Sequence, residues 1–259
     1  MLHLHRYRTR CDPRARRAGG VLGVAARDLP RRAGYVSAKL PAAVLFDFDG
    51  TLADSEPLIA ASMLHALGTE GFLVTPDQIR EVFGAPLDDM LRQLVGPGSD
   101  DRIERVRDAY FTHYIAEQLP RIQPIAGADA LLDALDQHGI PFAMVTNKTV
   151  ASSERQLAFL GWSGRFATIV GSDTVARPKP APDAALLALQ RLGVPAERTA
   201  YVGDQIPDME CATTAEIGMI IGLAHARGAD TLAAAGATYV ATSLAEVEAI
   251  LLRGDTVCA

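Results

Sequence analysis

Two aspartates, Asp47 and Asp49, follow the short apolar run Ala43-Val44-Leu45-Phe46 and lead into Gly50-Thr51. Carboxylates two positions apart on an extended chain face the same side. Such a pair can hold a hard cation through its oxygens, or divide the duties of nucleophile and acid/base. Three further groups lie downstream. Thr146-Asn147-Lys148 offers a hydroxyl, an amide and a cation, and Lys179-Pro180 sits in a Pro-rich turn. Gly203-Asp204 comes next, with Asp208 four residues after Asp204. Each alone has an ordinary reading: an Asp-Gly pair is a turn, a Thr or Asn after a strand is a helix cap, a lysine is a solvated charge. Residue usage weakens the last of these. Beyond residue 41 the only lysines are Lys148 and Lys179, in a chain that otherwise takes its positive charge from arginine. A hydroxyl, cations and carboxylates brought to one place favour phosphoryl transfer.

The elements that must bring them together can be read from apolar spacing. Ala43 to Phe46 is a continuous apolar run of the kind that forms a strand buried on both faces. From about residue 58 to 122 the spacing turns helical. Ile59, Met63, Ala66 and Leu67 share a face, and Thr75-Pro76-Asp77-Gln78 carries a capping box. Leu87, Met90, Leu91 and Leu94 form the next stripe, stopped by Gly96-Pro97-Gly98. Ser99 opens a fourth helix with Ile103, Val106, Tyr110, Phe111 and Tyr114 inward. After Pro124 helices and strands alternate. A helix carries Leu131, Leu132 and Leu135, and another starts near Asp183. Strands are expected at Phe142 to Val145, Thr168 to Val170, Thr199 to Val202, Met219 to Leu223 and Tyr239-Val240. The fold class is therefore α/β, a doubly wound Rossmann-like parallel sheet with a small helical bundle inserted after its first strand. In such sheets ligands bind beyond the carboxyl ends of the strands, where these polar groups fall.

Composition narrows the function classes. The 259 residues carry a net charge of -6, yet residues 1–40 are rich in arginine and nearly free of acids. The remainder is markedly acidic, which disfavours nucleic acid as a partner. The longest apolar runs, such as Ile217 to Ala224, are too short to span a bilayer, so no membrane role is expected. Three cysteines without a CxxC pair suit a reducing, cytoplasmic setting, and six scattered histidines without an HExxH pattern argue against zinc. The basic segment reads as a transit peptide, as an arm for nucleic acid or a membrane surface, or as a disordered extension or misassigned start outside the fold. The last is preferred.

With the motifs in view, the chain resembles the haloacid dehalogenase superfamily. Asp47-Phe48-Asp49-Gly50-Thr51 is similar to its DxDGT motif, Thr146 to its second motif, Lys179-Pro180 to its third, and Gly203-Asp204 with Asp208 to its GDxxxD form. The resemblance spans about residues 42 to 255. It implies a core of residues 41–57 and 123–259, a C1-type cap at 58–122, and an extension at 1–40. It further implies Asp47 as nucleophile, Asp49 as acid/base, and Mg²⁺ held by Asp47, the Asp49 carbonyl and Asp204. Thr146, Asn147 and Lys179 would bind the phosphoryl group, with Asp208 in support of Lys179 or of a metal-bound water. Asp49 argues against dehalogenases, which lack that second aspartate. The lysine-free cap argues against phosphonoacetaldehyde hydrolases, and the missing histidine near Asp54-Ser55-Glu56-Pro57 against β-phosphoglucomutase-like enzymes. Thr146-Asn147-Lys148, Gly84-Ala85-Pro86-Leu87 and Ala235 to Val240 resemble phosphoglycolate phosphatases. The expected partner is a small phosphomonoester acted on by a monomer or homodimer, with Arg92 and His65 as candidate cap contacts. The alternatives are a sugar phosphomutase and a sugar-phosphate, nucleotide or pyrophosphate phosphatase. A non-catalytic phosphate-sensing module is disfavoured, because every catalytic group is present.

Overall fold

In the computed structural model, residues 40–96, 100–225 and 228–253 are described. The basic segment, the Pro97-Gly98 stop and the Ser99 helix start lie outside the described residues, as does most of residues 1–40.

Six parallel strands run in the order β3-β2-β1-β4-β5-β6. They are β1 (Ala43–Phe46), β2 (Phe142–Val145), β3 (Thr168–Val170), β4 (Thr199–Gly203), β5 (Met219–Leu223) and β6 (Tyr239–Ala241). β1 lies at the centre, with Val44 opposite Phe142 on one side and Ala200 on the other. The four residues of β1 have no exposure at all, as an apolar run covered on both faces requires.

Side chains alternate between two apolar layers. Val44, Phe46, Phe142, Met144, Ala200 and Val202 belong to one, shared with α5 (Ala128–Gln137) and α10 (Leu244–Arg253). Leu45, Ala143, Val145 and Tyr201 belong to the other, under the small residues of α7 (Asp183–Leu192) and α8 (Ile206–Thr214). α6 (Val150–Phe159) packs along β3, and α9 (Ala229–Ala234) against β5 and β6.

Between β1 and β2 the chain makes α1 (Glu56–Thr69), α2 (Pro76–Val82), α3 (Leu87–Val95) and α4 (Asp100–His113). Ile59, Met63, Ala66 and Leu67 of α1 are buried, as are Ile103, Val106 and Tyr110 of α4, and the two helices pack together. The capping box on α2 is formed: the Gln78 N–H donates to the Thr75 hydroxyl at 3.3 Å, and the Thr75 N–H donates to Gln78 Oε1 at 2.8 Å. Such a cap stabilises a helix by about 1 kcal/mol. α4 ends in a π-helical turn, Tyr114–Gln118, closed by the Leu119 N–H on the Tyr114 carbonyl. None of the described helices is long and apolar enough to cross a membrane.

Candidate active site

β2, β1 and β4 are neighbours in the sheet, so the residues following them form a row. That row contains Thr146 after β2, Asp47 after β1 and Asp204 after β4. The chain order turns back between β1 and β4, the place where open α/β sheets form their binding crevice. Asp47, Thr146 and Asp204 are nearly or wholly buried despite their polarity. Their partners explain how the fold tolerates this.

Lys179 arrives from the loop after β3 and is only 5% exposed. Its ammonium donates to Asp47 Oδ1 at 2.7 Å, to Asp208 Oδ1 at 2.5 Å and to the Val145 carbonyl at 3.0 Å. The Asn147 side chain carries it there. Asn147 Oδ1 accepts from the Lys179 N–H at 3.0 Å, and its Nδ2 donates to the Lys179 carbonyl at 3.1 Å and to the Gly84 carbonyl at 2.7 Å. That amide is therefore committed to the protein itself, pinning the Lys179 backbone and the turn between α2 and α3.

Asp204 accepts from the Thr51 hydroxyl at 2.8 Å and from Gln205 Nε2 at 2.7 Å. Asp208 opens α8, where its Oδ2 accepts from the Gln205 N–H at 3.0 Å. Gly50, at φ 77°, brings the turn so close to Asp204 that a Cβ there would meet its carboxylate. Asp49 is half-buried. Its oxygens accept from Lys148 Nζ at 2.8 and 2.7 Å, and Ser55 Oγ donates to Oδ1.

Asp47, Asp204 and Asp208 each offer an oxygen within 4.8 Å of the others. Burial first, then the Asp208 charge, push Asp47 up to about 7, against the pull of Lys179 and with a further upward push from Asp49. Burial and the charges of Asp47 and Asp208 raise Asp204 well above the carboxylate range, opposed by the Thr51 hydroxyl. Burial alone would lower Lys179, but Asp208 and Asp47 outweigh it and keep the ammonium charged. Two of the three buried carboxylates, Asp47 and Asp208, share one buried ammonium and Asp204 has only neutral donors among the described residues, so the site is short of positive charge. Hard oxygen donors in that state suit a small divalent cation such as Mg²⁺.

A cavity of about 410 Å³ opens above Asp47 and Lys179. Its floor includes Thr146, Lys148 and Asp49, and its opposite wall comes from the helical insertion, with Asp88, Arg107 and Tyr110. The structure thus brings together Asp47, Asp49, Thr146, Asn147, Lys179 and Asp208 at one cavity, with Asp204 directly beside it. Arg92 and His65 are not part of it. Arg92 pairs with Asp89 on the surface at 3.3 Å, and His65 stacks on His113 at 4.1 Å. The insertion's cation in the cavity wall is Arg107, bonded to Asp88 at 2.8 Å. The sequence offered no means of telling Arg107 from its neighbours on α4. The pairing of Lys148 with Asp49 was likewise out of reach, although lysine scarcity had already singled Lys148 out.

Residues 44–221 match the family described as haloacid dehalogenase-like hydrolase. Among curated proteins, a phosphoglycolate phosphatase of Xanthomonas campestris pv. campestris (strain 8004) is 33% identical over 71% of this chain and 84% of its own length. An N-acetylmuramic acid 6-phosphate phosphatase of Pseudomonas aeruginosa is 32% identical over 65% of this chain and 75% of its own. Among solved structures, a hydrolase from Pseudomonas syringae superposes with a TM-score of 0.72 at 26% identity, covering 84% of this chain and 99% of that one. The chain belongs to the haloacid dehalogenase-like hydrolase family, as a phosphatase.

Proposed function

We propose that the protein is a cytoplasmic, Mg²⁺-dependent phosphomonoester hydrolase that works through an aspartyl-phosphate on Asp47, with 2-phosphoglycolate as the leading substrate. The observation that carries this reading is a buried carboxylate, Asp47, at the floor of a cavity beside the buried ammonium of Lys179. The Asp47 carboxylate attacks phosphorus as the ester P–O bond breaks, and Asp49 gives its proton to the departing oxygen. Water, deprotonated by Asp49, then attacks the aspartyl-phosphate and releases inorganic phosphate. Lys179 balances the charge of Asp47 and of the phosphoryl oxygens, held by Asp208 from behind. Thr146 Oγ1 and the Asn147 N–H orient those oxygens. Mg²⁺, held by the Asp47 carboxylate, the Asp49 carbonyl and Asp204, would supply the concentrated positive charge that lets a carboxylate approach a phosphate dianion.

The choice of substrate rests on the relatives and on the cavity wall. Six of the relatives at 32–33% identity are phosphoglycolate phosphatases. Arg107, the insertion's cation in the wall, is paired with Asp88 at 2.8 Å, so the wall offers little unspent positive charge to a polyanion such as a nucleotide or bisphosphate, and a cavity of about 410 Å³ suits a small ester. The test is kcat/KM with Mg²⁺ across phosphoglycolate, hexose phosphates, nucleoside monophosphates and pyrophosphate. Phosphoglycolate should lead, and a nucleotide or pyrophosphate ahead of it by more than about tenfold, a gap of about 1.4 kcal/mol, would overturn the substrate while leaving the chemistry standing.

A further inference from the structure

The cavity holds a cation that the reaction written above does not use. Lys148 follows β2, two residues after Thr146, and its side chain is 13% exposed. Its ammonium sits 2.8 and 2.7 Å from the two oxygens of Asp49. An ammonium has three N–H donors. Asp49 accepts two of these bonds, and no further acceptor for Lys148 Nζ occurs among the described residues. The Tyr114 ring lies beside it, with its centroid 6.0 Å from Nζ. Tyr114 is 3% exposed, and its hydroxyl has no hydrogen-bond partner among the described residues. Burial, and then the Asp49 charge, keep it a neutral phenol and hence a donor. One unspent ammonium N–H therefore lies next to the acid/base.

Asp49 is the group that hands a proton to the leaving oxygen, so that oxygen comes within hydrogen-bond distance of it. The ammonium on Asp49 is then within about 5 Å of the leaving oxygen. One carbon and a carboxyl group span that distance. A neutral hydroxymethyl in the same place would accept a weaker bond. Lys179 is spent on Asp47 and Asp208, and Arg107 in the opposite wall is already bonded to Asp88 at 2.8 Å, which leaves a second phosphate little unspent charge to meet.

We propose that Lys148 is a specificity-determining residue that receives the carboxylate of a short phosphorylated acid while Asp49 serves its ester oxygen. This deepens the phosphatase reading and rests on it. The experiment compares kcat/KM for 2-phosphoglycolate and 2-hydroxyethyl phosphate, which differ in a carboxylate against a hydroxymethyl, in wild type, Lys148→Met and Lys148→Arg. Wild type should favour the acid by about ten- to a hundredfold, the range of a hydrogen bond to a charged group. The ratio should fall close to one in Lys148→Met and be kept in large part by Lys148→Arg. Any harm done to Asp49 falls on both esters and cancels in the ratio. A ratio unchanged in Lys148→Met, or a wild type indifferent to the carboxylate, overturns the proposal. If Lys148→Met does not fold, Lys148→Gln is read in the same way. A wild type that hydrolyses p-nitrophenyl phosphate but neither two-carbon ester refutes the substrate reading instead, and the proposal falls with it.

Discussion

Replacing Gly50 with alanine tests how tightly the Asp204 carboxylate is held where the phosphoryl chemistry needs it. Gly50 has φ 77°, and an added Cβ would sit 2.5 Å from Asp204 Oδ2 and 2.9 Å from its Cγ. Ordinary contact begins near 3.4 Å, so the carboxylate must retreat by the difference from 2.5 Å, roughly 0.9 Å. It has little room to do so, since Thr51 and Gln205 hold both its oxygens, at 2.8 and 2.7 Å, and the residue has no exposure. A shift of about 1 Å in a positioned group can cost about 10²-fold in rate. We expect kcat/KM to fall by about that factor, and the Mg²⁺ concentration for half-maximal activity to rise about tenfold or more. The left-handed backbone adds about 1–2 kcal/mol of strain, and Tm falls by roughly 2–8 °C at about 2–4 °C per kcal/mol. Gly71 supplies the control. Its φ is 78°, but nothing lies within 4 Å of its added Cβ, so Gly71→Ala carries the same backbone strain without the clash. Steady-state kinetics over a Mg²⁺ titration, with Tm for both variants, separate the two effects. Wild-type activity and Mg²⁺ dependence in a folded Gly50→Ala would refute the placement of Asp204 at the metal.

Asp47→Asn should abolish turnover in a protein that still folds, because an amide is a poor nucleophile and a poor metal ligand; hydrolysis at the wild-type rate would sink the covalent route. Lys179→Met leaves Asp47 and Asp208 without their shared ammonium, which should cost about 3–5 kcal/mol in denaturant unfolding. Adding Asp208→Asn should restore part of that loss, and strict additivity of the two changes would count against the coupling. His113 is held below the ordinary histidine range, first by burial and then by the stacked His65, with Glu117 opposing. The folded chain therefore binds fewer protons than the unfolded one. This contribution is intact above pH about 6.5 and is lost as the pH falls below it. His113→Gln should flatten the fall in Tm between about pH 7 and pH 5, and an identical slope in both proteins would show that the pair does not titrate with folding.

The sheet was legible because a strand covered on both faces must be apolar throughout, so the length of the run is the length of the strand. β1, β2, β3 and β5 occupy the residues their composition marks out. β4 runs one residue further, to Gly203, and β6 to Ala241, because their ladders continue with Gly203 opposite Gly222 and Leu223 opposite Ala241. Those partners are distant in sequence, and nothing local announces them. The same holds in the insertion. The inward stripes of α1 and α4 follow from their spacing, but which polar side chain faces the cavity depends on how the helices lean on the core. Gly84, at φ 97°, holds the α2–α3 turn with its carbonyl on the Asn147 amide at 2.7 Å. The π-helical turn at Tyr114 is a tertiary feature of the same kind, and its residues carry no mark of it.

The site was legible in its parts and not in their pairing. Lys148 and Lys179 both follow elements ending at the same sheet edge, and either could have met either aspartate. The structure sends Lys179 across 132 positions to Asp47 and Lys148 across 99 to Asp49. The deciding group is Asn147, whose side chain spends its bonds on the Lys179 backbone and so carries that lysine beneath β2, towards β1. Lys148, next in the chain, is left on the cavity side with Asp49. The result is two ion pairs of different character. One is buried and shared among acids, so that Asp47 rises to about 7 even beside an ammonium. The other is half-open and reachable from the cavity. A buried pair fixes a nucleophile at a stability cost that the apolar sheet must offset. A pair that lines the cavity can keep its partner and still offer the third ammonium N–H to a ligand. The proposed division of labour, catalysis at Asp47 and recognition at Lys148, matches that difference in burial.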